Sequence, residues 1–281
     1  MIKFFANLFG YFLNYIYNLL GNYGLAIILF SIMIKIILLP ITIKQQKTMK
    51  KTAKIQTKLK EIQEKYKNNT EKINQETIEL YKKENMSPLS GCLGAIIQII
   101  LLFSVFYLVR SPLTYMKKID NEIINNYIQE IGEENSSNKR YPEITVIRQK
   151  GNIDERVYVN MKFLGLDLSE VPFQDSKDFK VFIIPILYVI TTFISMKINS
   201  TESQKNEKNK MITEGNEIKS QNLSEENPME NANKNMTYLM PVMSISIAMI
   251  APLGLALYWL INNVLIIVER KALSRIIKEE E

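Results

Sequence analysis

Five apolar stretches alternate with strongly polar ones along this chain. The first, residues 22–43, is long enough for a bilayer whose hydrocarbon core takes about 20 residues of helix. Pro40 closes its apolar run. Similar stretches follow at 88–110, 181–198, 236–251 and 252–268, the last two separated only by Ala251-Pro252-Leu253-Gly254. The fourth is short for a span, so it needs thinning, tilt or burial against neighbours. Residues 1–21 are different: Phe4, Phe5, Phe9, Tyr11, Phe12, Tyr15 and Tyr17 alternate with Asn7, Asn14 and Asn18. Aromatic side chains belong at the headgroup level, so this stretch predicts an interfacial amphipathic helix, with a first full span as the alternative. It has no convincing cleavage site and is expected to be retained.

The polar segments have characters of their own. Residues 44–87 open with a dense run of lysines, and Ile55, Leu59, Ile62 and Tyr66, then Ile73, Ile78 and Tyr81, fall at helical spacing. Lys67-Asn68-Asn69-Thr70 reads as a turn between them, giving a helical hairpin with a thin apolar seam. In residues 111–180, Ile144–Arg148 and Arg156–Val159 flank Gly151-Asn152, a β-hairpin signal. Met161–Leu168 is apolar enough to sit at a membrane surface. Residues 199–235 hold almost no large apolar side chains and are expected to be disordered. A charged tail, 269–281, ends the chain.

The fold class predicted is therefore an all-α polytopic membrane protein. It has five transmembrane helices, an N-terminal interfacial helix, a helical hairpin at 44–87 and a small loop domain with a β-hairpin. Net charge, +6, matters less than its placement. The lysine block beside the first span belongs on the cytoplasmic side. That puts the N-terminus and 111–180 outside, and 199–235 and the C-terminus inside. Cys92 is the only cysteine and there is no histidine, which excludes a disulfide framework, a thiolate metal site and the usual general base. Neither a Walker loop nor a glycine-rich dinucleotide turn is present. No ATPase, no covalent chemistry, no cofactor and no metal are expected.

Candidate chemistry lies in polar residues at membrane depth. Ser31 and Lys35 share one face of the first span, Gln98 interrupts the second, and Tyr258, Trp259, Asn262 and Asn263 punctuate the last. In lipid such groups turn toward protein or water, and converged they would line a wet, positively charged cavity. Each also has a plainer reading. Lys35 can snorkel to the headgroups, Ser31 can bond its own backbone, Gln98 can glue helices, and Tyr258 and Trp259 can anchor at the interface.

Several stretches resemble one family. Asn22–Ile28 through Leu38–Thr42, the segment Lys58–Tyr66, Pro88–Leu93 with Gln98, Phe163–Leu168, Met240-Pro241 and Pro252–Trp259 are similar, in order, to motifs of the YidC-type membrane protein insertases, in their compact, Gram-positive-like form. The resemblance implies a bacterial cell membrane protein that inserts and helps fold other membrane proteins through an intramembrane groove open to cytoplasm and lipid. It places Lys35 where the family usually has arginine, Ser31 where threonine is common, Gln98 and Trp259 among its polar groove residues, and Tyr258 at a client-contact position. Lysine keeps the charge and loses the planar fork. Gly94 departs from a frequent proline, and the 113–160 loop is longer than in compact members. Implied partners are newly made membrane proteins and the lipid bilayer, with the Sec translocon, the ribosome and the signal recognition particle pathway as further candidates and no nucleic-acid specificity. A small anion transporter or channel using Lys35 is the alternative. Against it stand the missing inverted repeats and broken helices.

Overall fold

The computed structural model describes residues 1–67, 69–87, 90–132, 140–174, 178–213 and 246–279; the side chains at 90–95, 199–213 and 273–279 and at a few positions of 49–60 lie outside that description. Helix α1, Ile2–Leu20, buries Ala6, Phe9, Gly10, Leu13, Ile16 and Tyr17 and leaves Phe4, Tyr11, Tyr15 and Leu19 exposed. The buried residues recur at three- and four-residue steps, the period of one helix face. Gly10 is required by contact: a Cβ there would sit 1.8 Å from the Tyr115 carbonyl oxygen.

Asn22 caps helix α2, Tyr23–Lys65, by accepting the Leu25 amide through Oδ1 at 3.1 Å. The helix does not end where its apolar run ends. It passes through Pro40 and continues to Lys65, about 65 Å in all. A proline ring leaves the carbonyl four residues back without its helical donor, here that of Ile36, one residue from Lys35. Helix α3, Thr70–Lys83, starts at Asn69, whose Oδ1 accepts the Lys72 amide. It folds back along α2, with Lys58 paired to Glu84 and the Tyr66 hydroxyl donating to Glu76.

Three segments are long and apolar enough to cross a membrane: Tyr23–Thr48, Phe179–Ile198 and Leu253–Ala272. Helix α4, Ser90–Arg110, contributes a shorter apolar segment, Ile96–Arg110, among the described residues. Most of the expected fourth stretch, 236–251, lies outside the described residues; 246–250 are helical.

The 111–180 region differs from its sequence reading. It begins with a π-helical turn, Leu113–Lys117, and continues with α5, Asn121–Ile131, and α6, Pro142–Lys150. The strand expected at Ile144–Arg148 is thus helix. Pro142 at the first turn, Glu143 beside it, and Arg148 and Lys150 in the last turn are all helix-end signals, and Ile144, Val146 and Ile147 are buried. No strand forms at Arg156–Val159 either. The region's hairpin lies further on, β1 Lys162–Phe163 against β2 Leu166–Asp167, turned by Leu164 and Gly165, both at positive φ. That pair of angles is the twist-matched hairpin turn.

A short 3-10 turn, Phe179–Phe182, leads into α7, Ile183–Thr213. The disorder expected from 199 onward therefore does not hold for 199–213. Once an apolar segment has nucleated a helix, each added residue needs little to propagate it. Residues 214–235 lie outside the described residues. Helix α8, Leu253–Glu279, packs on α7 and α2 and absorbs the charged tail as far as Glu279.

The hairpin segment ties the helix starts together. Tyr23 donates its amide to the Asn160 carbonyl at 3.0 Å, and Asn22 Nδ2 donates to the Lys162 carbonyl at 2.7 Å. Leu253 and Gly254 donate their amides to the Glu170 and Leu168 carbonyls at 2.8 and 2.9 Å. These are first-turn donors that a helix cannot satisfy itself. Phe163 lies over Gly24 so closely that a Cβ there would come within 2.5 Å of its ring. Among the described residues, α2, α7 and α8 all leave this layer, and α4 ends at it.

Candidate functional site

Ser31, Ile34, Lys35 and Leu38 recur on one face of α2 at helical spacing, and that face lines a cavity. Helix α1 adds Phe9, α4 adds Gln98, Leu101 and Val105, and α8 adds Tyr258 and Asn262. Phe9 and Phe30 meet edge to face, ring centres 5.9 Å apart, and close one wall. The volume is about 30 Å³. That is room for one or two waters and not for a polypeptide.

Five of the seven polar residues singled out in the sequence thus meet: Ser31, Lys35, Gln98, Tyr258 and Asn262. Trp259 does not line the cavity. It stacks obliquely on Tyr188 of α7 with ring centres 6.0 Å apart, and its face-mate Asn263 donates Nδ2–H to Thr192 Oγ1 at 2.8 Å. Tyr258 turns toward α2 and α4, and Trp259, about 100° further around the helix, turns toward α7. One face of α8 turns to the cavity and the next grips α7. Ser31 is buried and donates its hydroxyl to the Ile27 carbonyl at 2.7 Å, so it offers the cavity lone pairs only.

Lys35 is not a lone cation. Its Nζ lies 3.0 Å from Oε2 of Glu269 on α8, and the two side chains are 21% and 10% exposed. The other carboxylate oxygen, Oε1, is buried and has no hydrogen-bond partner among the described residues. The charge at the cavity is therefore balanced within the protein. Sequence reasoning assigned Glu269 to the charged tail. The signal was present: Glu269 follows Tyr258 by eleven residues and Asn262 by seven, close to whole turns, so all three share a face. Nothing among the described residues groups histidine, cysteine or carboxylates as a metal would require.

The family model described as 60Kd inner membrane protein matches residues 15–280. A protein of Fusobacterium nucleatum named "Membrane protein insertase YidC" is 27% identical over 275 residues, 92% of this chain and 96% of that protein. Proteins of the same name from Francisella tularensis subsp. novicida and subsp. tularensis are 36% identical over 107 residues, 38% of this chain. The match spans only 19% of the length of those Francisella proteins. Spanning nearly the whole chain, the match shows that this chain belongs to the 60Kd inner membrane protein family, that of the YidC-type insertases.

Proposed function

We propose that this protein inserts other proteins into a bacterial membrane, and that the cavity between α1, α2, α4 and α8 is the closed form of a groove that receives a client's polar tail. The observation that carries this is the gathering of polar side chains from three apolar helices around one water-sized space. The relatives named as insertases support the activity.

The energetics give the groove its task. Leu, Ile, Phe and Val each favour the bilayer centre by about 0.3–0.6 kcal/mol, so a client span gains several kcal/mol. One acidic residue at the same depth costs about 2.5–3.5 kcal/mol, so two or three in the tail cancel that gain. Ser31, Gln98, Tyr258 and Asn262 would replace part of the tail's hydration, and Lys35 would attract its acids where charges are poorly screened. The span then leaves sideways into lipid. No bond is made or broken, so no catalytic residue is needed.

Orientation belongs to the same proposal. The lysine-rich α2–α3 hairpin lies in the cytoplasm, and 111–180 with the starts of α2, α7 and α8 lies outside, where the backbone bonds around Asn160–Glu170 hold the outer end shut. Five spans put the N-terminus outside and the C-terminus inside. Helix α1 lies in the outer interface, its exposed aromatic face toward headgroups.

The test is insertion into vesicles carrying the purified protein, with one client bearing an acidic tail and the same client neutralised. Lys35→Arg should retain insertion of both. Lys35→Ala should lower the acidic client about tenfold and the neutral one less. Equal insertion by empty vesicles would overturn the activity, and an unaffected acidic client in Lys35→Ala would remove the electrostatic role.

A further inference from the structure

Glu269 occupies the one position that a client's acidic side chain would need. We propose that it is a resident counter-ion: an internal stand-in for the client's carboxylate, which holds the groove closed until a client acid displaces it, and which thereby sets how acidic a tail must be to enter. This rests on the groove reading above and adds to it the residue that regulates access.

Three observations carry it. The pair links α2 to α8, two of the walls that must part for a 30 Å³ cavity to admit a chain. Lys35 and Glu269 are 21% and 10% exposed, so the contact is mostly shielded yet still reachable. And the carboxylate is only half satisfied. It can accept about four hydrogen bonds, yet Oε1 is buried without a partner among the described residues. A fully bonded buried pair would be a permanent brace; a half-bonded one loses little when exchanged.

The exchange itself is close to balanced. One carboxylate leaves the ammonium and another takes its place, so hydrogen bonds are conserved in number. Glu269 holds the advantage of being tethered, an effective concentration in the millimolar range. A neutral tail gains nothing from the exchange. A tail with one acid competes at that concentration, and one with several acids near the groove mouth competes better. When Glu269 is released it lies near the charged end of α8, toward the side proposed as cytoplasmic, where water can receive it. The resident acid therefore lowers apparent affinity for acidic tails, as any pre-occupied state does.

The experiment compares the same two clients, acidic and neutralised, in the full-length protein and in Glu269→Gln, which keeps the shape and removes the charge. A photocrosslinker at Leu38 or Leu101, both lining the cavity, reports whether clients reach the groove. Glu269→Gln should raise the ratio of acidic to neutral client crosslinked and inserted by about fivefold, the lower end of ordinary coupling between sites. In Lys35→Ala the bare Glu269 should repel acidic tails, so Lys35→Ala with Glu269→Gln should recover part of the acidic client's loss. An unchanged ratio in Glu269→Gln, or an equal fall for both clients, makes the pair a structural brace and overturns the proposal. No recovery in the double variant overturns it as well. If neither position crosslinks any client in the parent protein, the groove reading itself fails and takes this inference with it. Crosslinks that persist with an unchanged ratio sink the counter-ion alone.

Discussion

The two ends of the α2–α8 packing are built on opposite rules. At the start of both helices, Tyr23 lies against Gly254, and the amides of Tyr23, Leu253 and Gly254 all find carbonyls in the Asn160–Glu170 segment. Leu168, Val171 and Leu253 are buried there, and the Tyr23 hydroxyl is the one buried side-chain donor without a partner among the described residues of that layer. Three turns along α2 and four along α8, the same two helices meet through Lys35 and Glu269, beside the cavity and with a carboxylate oxygen that has no hydrogen-bond partner among the described residues. The contacts also show that α2 and α8 run roughly parallel, since their starts meet and their later turns meet. One end has its backbone groups satisfied and its apolar side chains close-packed, which favours a single arrangement. The other has polar groups in excess of partners, which favours exchange with water or another chain.

That contrast is broken most forcefully at Gly10, which lets α1 cross the π-helical turn at Tyr115. A methyl group would meet a backbone oxygen at 1.8 Å, which no rotamer change relieves. Gly10→Ala should cost about 1–3 kcal/mol or more, the range of overpacked cores, read as a lower unfolding midpoint in detergent and poorer accumulation. Ser31→Ala, whose hydroxyl is spent on its own helix, should cost far less. Equal effects would mean that α1 does not pack closely on the π-helical turn.

Next comes sidedness. In a Cys92→Ala background, Ile153→Cys in the 111–180 region and Lys67→Cys in the hairpin turn are both exposed positions. An impermeant thiol reagent should label Ile153→Cys in intact cells and Lys67→Cys only after lysis. Labelling of both from one side would overturn the orientation, and with it the idea that the well-knit layer is the outer one.

How far each end was legible follows from the same physics. Ser31, Lys35, Gln98, Tyr258 and Asn262 stand out because a polar residue in an apolar run is costly and must be placed inward. Glu269 was hidden by its position just beyond such a run, where charge is ordinary; only its register with Tyr258 and Asn262 distinguished it. Trp259 was grouped with Tyr258 by adjacency in sequence, though one residue is more than a quarter turn. The hairpin turn of α2 and α3 was readable from Asn69 and Thr70, since caps are local. The 111–180 layer was read least well. Its β-branched residues Ile144–Ile147 face a core formed by distant segments, and tertiary burial overrode their strand preference. The hairpin at Lys162–Asp167 turns on Leu164-Gly165 rather than an asparagine-glycine pair, so it carried no usual signal.

A smaller effect should separate the pair from its members. Removing one partner of a shielded ion pair leaves the other charge unpaired, so Lys35→Ala alone should destabilise by about 1–3 kcal/mol. Lys35→Ala with Glu269→Ala should recover much of that loss, because replacing both partners removes the uncompensated charge. Thermal unfolding in detergent reads the cycle. Losses that simply add would mean that the two side chains do not interact in the folded protein.

The smallest expected effect tests whether the 111–180 layer is as well satisfied as its backbone suggests. Glu143 on α6 is buried and accepts the Thr114 amide at 3.0 Å and the Thr114 hydroxyl at 2.7 Å. Burial pushes its carboxyl above the ordinary glutamate value, and the bonds from Thr114 oppose that shift without cancelling it. The sign then follows. A carboxyl whose folded value is raised favours the folded state while it is protonated in both states, and that contribution is lost as pH rises through the folded value. As pH rises from the ordinary glutamate value toward neutrality, the parent protein should therefore lose stability relative to Glu143→Gln, which stays neutral throughout and keeps one acceptor for Thr114. The measurement is the unfolding midpoint of both proteins in detergent across that range. The difference between them should narrow on acidification and widen toward neutrality in favour of Glu143→Gln. A parent that gains on the variant as pH rises would show that the Thr114 bonds outweigh burial, and that this carboxylate is held in its charged form as firmly as the backbone groups around it.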